Sequence, residues 1–319
     1  MNYEEFKDAV ITRFKDYLPE QYREKELTVM QINKVNQVKD AISLQFIRTK
    51  DNVIIAPNIY INDMYDSYLE NEDLEGVLHK AADIMVVNLI AIQNDDLPDL
   101  DFENMKDNIV FQIVNTEQNK EMLSDMPHRE FLDLSLIYKF ILREEENGLV
   151  CARIGKDTAA FLGLSEGDLF KLATENTRRI LPPVVNTLTD VVRELYRGMS
   201  NENIDEMLSE VPKELEMYVI SNERRINGAV SLVYEDVFHN LAMELDKDLY
   251  ILPSSIHELI AIASNDNDPN ELAQMVAEVN EDEVELEKRL SNQVYYYDRN
   301  LRKITLATDT PNKRLDGVN

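Results

Sequence analysis

Ser254, Ser255, His257 and Glu258 crowd one short stretch, LYILPSSIHELIAI, which runs from Leu249 to Ile262. Serine becomes a nucleophile when an imidazole takes its proton and a carboxylate orients that imidazole. In a hydrolase of that kind His257 is the general base, Ser254 the nucleophile or substrate anchor, and Glu258 or a neighbouring acid the orienting group. His239 is the fourth residue to consider. The spacing argues for something simpler. Leu249 and Ile251 before Pro253, and Ile256, Ile260 and Ile262 after it, alternate at period two, which predicts a β-hairpin turned by Pro253-Ser254-Ser255. On that second strand His257 shares a face with Leu259 and Ala261 while Glu258 lies with the isoleucines, so the two side chains point apart. Serines in a turn need no catalytic role, and no catalytic residue is assigned.

Metal and cofactor chemistry find no better support, and neither is expected. A zinc protease helix needs His-Glu-x-x-His, but the position after His257-Glu258-Leu259-Ile260 is Ala261. His79, His128 and His239 fall in three different predicted elements. Cys151, the single cysteine, sits in the alternating run Leu149 to Ile154, where it serves as a small apolar filler. The acid runs at 70–73 and 95–99 lack the oxygen-ligand pattern of a calcium loop. Eight scattered glycines form no phosphate loop, no dinucleotide fingerprint and no nucleophile elbow.

The elements that must position these residues are mixed. Phe6, Val10, Phe14 and Tyr17 make one apolar stripe on a helix that Pro19 ends. LTVMQI, AISLQFI and NVIIAPNIYI read as two or three strands, with Asp51-Asn52 as a turn between the last two. Asp73 to Gln93 recovers helical spacing, and its later half is apolar nearly all round, which predicts a helix central to a core. NIVFQIVN reads as a strand. LSLIYKFIL and GLVCARI form a hairpin turned at Asn147-Gly148. Ser165 caps a helix after a break at Gly163, and Pro182-Pro183 ends it and opens another helix. ELEMYVIS is a strand, VYEDVFHNLAMEL a helix, and QVYYYDRNLRKITLA a closing hairpin.

Lys and Arg total 33 against 61 Asp and Glu, a formal charge of −28, which disfavours direct contact with nucleic acid phosphate or anionic lipid. The longest apolar stretch, Ile84 to Ile92, contains Asn88 and is far short of the roughly 20 residues that span a bilayer. The acidic start MNYEEFKDAV does not look like a secretory signal. A reducing, cytoplasmic setting with a protein partner is expected, and oligomeric state is not legible. The contact residues it suggests are Tyr295, Tyr296 and Tyr297, as aromatics on an edge strand, with Ser255 and His257 in the Pro253 turn. Packing of the sheet is the competing role for at least two of the tyrosines.

Three stretches carry a resemblance: GLSEGDLFKLATENTRRILP, SLVYEDVFHNLAMELDKDLYILPSSIHELIAI and VNEDEVELEKRLSNQVYYYDR. Their succession resembles a family of bacterial proteins described only as a domain of unknown function, most clearly from Asp157 to Arg299. The resemblance implies anaerobic Gram-positive hosts and a mobile-element setting, and it supplies no catalytic residue. A second uncharacterised family is similar, with a Pro-Ser-Arg-Asp tetrad in its hairpin where this chain reads Pro253-Ser254-Ser255-Ile256.

The sequence therefore predicts an α+β fold with mainly antiparallel hairpin sheets. A doubly wound sheet would alternate single strands with helices instead. The expected portions are 1–125, 126–307 and a loose polar tail at 308–319. Three functions compete. The first is a non-enzymatic cytosolic protein-binding or accessory protein of a mobile element. The second is an acidic nucleic-acid mimic that blocks a DNA- or RNA-binding defence protein. The third is a hydrolase around His257.

Overall fold

The structure, a computed structural model, describes residues 1–48, 53–94, 104–145, 148–196, 217–265, 267–310 and 315. The turn residues Asp51, Asn52 and Asn147 and the acid run at 95–99 lie outside the described residues. The chain divides into two compact units, Met1–Asp99 and Leu100–Asn319.

In the first unit, helix α1 (Tyr3–Arg13) starts in a capping box in which Asn2 accepts the Glu5 amide. It buries Phe6 and Val10, and Phe14 follows in a 3-10 turn before the short helix α2 (Glu20–Arg23). Strands β1 (Leu27–Asn33), β2 (Val38–Leu44) and β5 (Asn58–Tyr60) make one antiparallel sheet in the order β1-β2-β5. β3 (Phe46–Arg48) and β4 (Val53–Ile55) make a separate pair. Helices α3 (Ile61–Asn71) and α4 (Leu74–Gln93) close the core. Helix α4 is not central as its composition predicts. It buries Leu78, Ala82, Met85 and Leu89 on one side and leaves Ile84, Val87 and Ile90 exposed on the other, because this small core lies against only one of its faces.

The second unit holds two antiparallel sheets. Strands β6 (Ile109–Asn115), β7 (His128–Phe131), β8 (Leu134–Glu145) and β9 (Gly148–Arg153) surround the long β8, which pairs with all three others. The short helix α5 (Lys120–Ser124) lies between β6 and β7 in sequence, so the segment from Met122 to Glu130 is internal to this unit. Helix α6 (Lys156–Phe161) ends before Gly163 at φ 65°, and Ser165 caps α7 (Glu166–Ile180), as the sequence predicts. Helix α7 covers the free edge of β6: the Thr177 hydroxyl accepts the Phe111 amide at 3.0 Å, and Asn176 donates to the Ile109 carbonyl at 3.1 Å.

The second proline opens a strand, β10 (Pro183–Thr187), and only then comes helix α8 (Leu188–Leu195). The helix expected directly after Pro182-Pro183 is displaced because Val184, Val185 and Thr187 favour a sheet and Pro183 is tolerated on an edge strand. The second sheet runs β10-β11-β13-β12-β14-β15, with β11 (Met217–Asn222), β12 (Leu249–Leu252), β13 (Leu259–Ala263), β14 (Tyr295–Asp298) and β15 (Lys303–Leu306). Every pairing between described strands is antiparallel, which is the α+β arrangement. One face of this sheet joins the main core through Leu249, Ile251, Leu259, Ala261, Tyr295 and Tyr297, beneath helix α9 (Glu235–Leu245). The other face packs Leu252, Ile262 and Val294 on helix α10 (Pro269–Glu283).

The segment after β15 is tied down at its described residues. Thr308 and Leu315 are buried. The Thr308 hydroxyl donates to the Gln293 side-chain oxygen, and the Leu315 amide donates to that of Gln118.

Candidate functional site

The hairpin around Pro253 forms as the alternation predicts, with Leu249 opposite Ala263 and Leu252 opposite Ile260. Its connection is longer than the expected three-residue turn, because Pro253 to Ile256 leave β13 and pair with a distant segment. The Ile256 amide donates to the Lys288 carbonyl at 2.8 Å, and the Leu290 and Ser291 amides donate to the Ser254 and Pro253 carbonyls. Strand β13 therefore starts at Leu259, and His257 and Glu258 lie in the loop before it.

His257 is held by its backbone. Its amide donates to the Ser255 hydroxyl at 3.1 Å, and its carbonyl accepts both the Ser221 hydroxyl at 2.7 Å and the Gly228 amide at 3.0 Å. Gly228 is required there, since an added Cβ would meet the His257 oxygen at 2.3 Å. The His257 ring Nδ1 is buried without a hydrogen-bond partner. Burial, and then the nearby Lys288, hold the imidazole below its ordinary pKa, while the Arg225 carbonyl and Glu285 act the other way. Among the described residues no hydrogen bond links this ring to Ser254 or Glu258.

The tyrosines divide by strand parity. Tyr295 and Tyr297 are fully buried, and Tyr296 is half-buried on the opposite face, 5.8 Å from the ring of Tyr250. Strand β14 is internal, between β12 and β15, and not the expected edge. Each hydroxyl meets an acid. Tyr295 and Ser291 both donate to the Asp133 carboxylate, Tyr296 donates to Asp248 at 2.6 Å, and Tyr297 donates to Glu235. The bond to Asp248 is the main reason the Tyr296 hydroxyl is pushed up to about 12. Tyr297 also approaches His239 Nδ1 at 3.3 Å, and Arg302 closes on Glu235 at 2.6 Å. So His239 and Tyr297 come together, but 239 and 257 serve separate networks. Asp133 and Glu235 gave no sequence signal, being single acids among 61.

The remaining histidines have local partners. His79 packs edge-on against Tyr17, and His128 Nδ1 lies 3.0 Å from the Met126 carbonyl. Among the described residues no three His, Cys, Asp or Glu side chains are grouped to hold a metal ion. Cys151 is half-buried on β9, and burial pushes its thiol pKa up, away from the reactive thiolate. Among the described residues no helix is long and apolar enough to cross a membrane.

Fold and site together define an α+β protein whose polar side chains brace a sheet. The chain matches the family model described as "Family of unknown function (DUF5688)" over residues 3–299, and it belongs to that family. No curated protein and no solved structure matches it.

Proposed function

We propose that this chain is a non-enzymatic protein-binding protein that takes an extended segment of a partner onto the free edge of β15. The observation that carries the reading is the direction of two backbone units. The Ala307 amide donates to the Val294 carbonyl at 2.8 Å, and hydrogen-bonded pairs alternate along an antiparallel ladder. Tyr296 with Thr305 and Asp298 with Lys303 are then the bonded pairs. Ile304 and Leu306, opposite Tyr297 and Tyr295, turn their N–H and C=O groups away from β14. Helix α7 caps the edge of β6, but no described element covers β15, where Lys303 and Leu306 are exposed. An uncovered edge is a template for strand addition. Each copy carries −28, so repulsion opposes self-pairing and favours a partner of opposite charge.

Half-buried Tyr296, Ser255 and His257 are the remaining contact candidates from the sequence, and of these Tyr296 stands next to the edge. The cytoplasmic setting fits a single cysteine and the absence of a spanning helix among the described residues. The accessory role in a mobile element rests on the family resemblance. Capture from native lysate on the immobilised full chain tests the contact. Leu306→Pro removes one outward N–H and spares the ladder to β14, so it should lose the proteins that wild type retains. Tyr296→Ala should weaken the same bands and His257→Ala should not. An identical set on wild type and Leu306→Pro overturns the assignment.

A further inference from the structure

Helices α3 and α4 and strand β5 line a cavity of about 340 Å³ in the first unit. Its walls are mainly apolar. Ile59, Met64 and Ala81, which belong to the buried core of the unit, line its inner side. Val77 is half-buried and Ile84 is exposed, so the cavity opens along α4. Val87, three residues on and on the same side of the helix, is exposed as well and continues the apolar surface outwards. A concave apolar site of a few hundred Å³ with a small number of polar groups is the usual form of a small-molecule pocket.

The polar groups decide which charge the ligand carries. Asp63 and Lys80 are the charged side chains in the lining. The Asp63 carboxylate is already met, since Lys39 donates to it at 2.7 Å. Lys80 is exposed, and its ammonium has neither an ion pair nor a hydrogen-bond partner among the described residues. A further ammonium, that of Lys34, stands 4.6 Å from the ring centre of Tyr60, another lining residue, and Lys39 stands 5.7 Å from the same ring. The lining carboxylate is thus neutralised by Lys39, while Lys80, with Lys34 beside Tyr60, attracts a negative group. The long-range field of a chain carrying −28 repels anions, so an anion site has to be built from local lysines in this way.

We infer that this cavity binds a small aliphatic carboxylate, with its chain among Met64, Val77, Ala81 and Ile84 and its carboxylate on Lys80. An aliphatic amine would meet the Lys80 ammonium and find Asp63 already paired. An alcohol would fill the same apolar space without the charge contact. The apolar wall sets the affinity, because each methylene removed from water is worth about fourfold, whereas an exposed ion pair adds at most about fivefold. Chain length therefore governs how tightly the ligand is held, and Lys80 governs which head group is preferred. The site lies within the first unit and does not depend on the β15 edge.

Methionine methyl NMR on the full chain, titrated with hexanoate, octanoate and decanoate to millimolar concentration, tests the site. The Met64 signal should shift with octanoate, and those of Met217 and Met275 in the second unit should not. From hexanoate to octanoate the affinity should climb by about fourfold for each added methylene. Octanoate should bind more tightly than octylammonium, although the overall charge of the chain favours the cation. Lys80→Gln should weaken octanoate by about three- to fivefold and leave 1-octanol unchanged. Ser67→Leu, which puts a larger side chain into the lining, should weaken octanoate and 1-octanol alike. A Met64 signal indifferent to millimolar octanoate, equal affinity for octanoate and octylammonium, or octanoate held as tightly by Lys80→Gln or a folded Ser67→Leu as by wild type, overturns the inference. Should Ser67→Leu fail to fold, the Met64 signal of wild type and the Lys80→Gln titration decide.

Discussion

The amide of Gly228 lies 3.0 Å from the carbonyl oxygen of His257, and nothing larger than a hydrogen fits on the Gly228 Cα. A Cβ there would stand 2.3 Å from that oxygen and 2.7 Å from the Ser221 Cα, both on backbone that other bonds hold in place. Gly228→Ala should therefore cost about 3 kcal/mol, at the upper end of overpacking penalties. Urea unfolding measures it. A midpoint equal to wild type would show that the His257 loop yields freely.

Parity explains what the sequence revealed around this loop, and distance explains what it hid. The Leu249 to Ile262 alternation places one set of side chains in the main core and the other against α10, and Tyr295 to Tyr297 divide in the same way. Local period suffices for that. It could not show that Pro253 to Ser255 pair with residues near 290, because that contact depends on a segment more than thirty residues away. Nor could it show that Asp133 meets Tyr295, 162 positions on. β10 was hidden by the Pro182-Pro183 pair, which marks a helix end, while Pro183 also suits the edge strand that it opens.

The Asp133 carboxylate accepts from both Ser291 and the fully buried Tyr295. Burial, reinforced by that carboxylate, keeps the Tyr295 hydroxyl protonated well above its ordinary range, so it remains a donor. Tyr295→Phe removes one donor and should cost about 1–2 kcal/mol, whereas Asp133→Ala strands two hydroxyls and should cost about 3 kcal/mol. The double variant should fall short of the sum. Additivity within about 0.4 kcal/mol in a denaturant cycle would mean the two groups are not coupled.

Glu235 joins helix α9 to the β14–β15 hairpin through Arg302 and Tyr297. The Arg302 bond does most to hold the Glu235 carboxyl below the usual carboxylate range, and the Tyr297 hydroxyl adds to it. A depressed carboxyl stabilises the fold above its unfolded pKa, and that contribution disappears as pH falls through the lower folded value. Glu235→Gln should therefore be less stable than wild type at pH 7, with the gap closing in acid below the ordinary carboxylate pKa. Thermal melts between pH 7 and pH 3 report the difference, and a gap constant across that range would exclude the linkage.

His257 should leave its own mark at milder pH. Its ring Nδ1 is buried without a partner, and burial and Lys288 depress its pKa despite the Arg225 carbonyl and Glu285. The unfolded chain then binds a proton more readily than the folded one. Stability linked to His257 is complete above the ordinary histidine pKa, near 6.5, and is lost as pH falls through the lower folded value. The whole chain complicates a direct reading, because its −28 charge is progressively neutralised in acid and self-repulsion relaxes. That background is shared with His257→Asn, so the informative quantity is the difference between the two proteins. Urea midpoints at pH 7.5, 6.5 and 5.5 should show wild type losing ground to the variant as pH drops. Parallel profiles would mean that the ring takes up its proton in the folded loop as easily as in the unfolded chain.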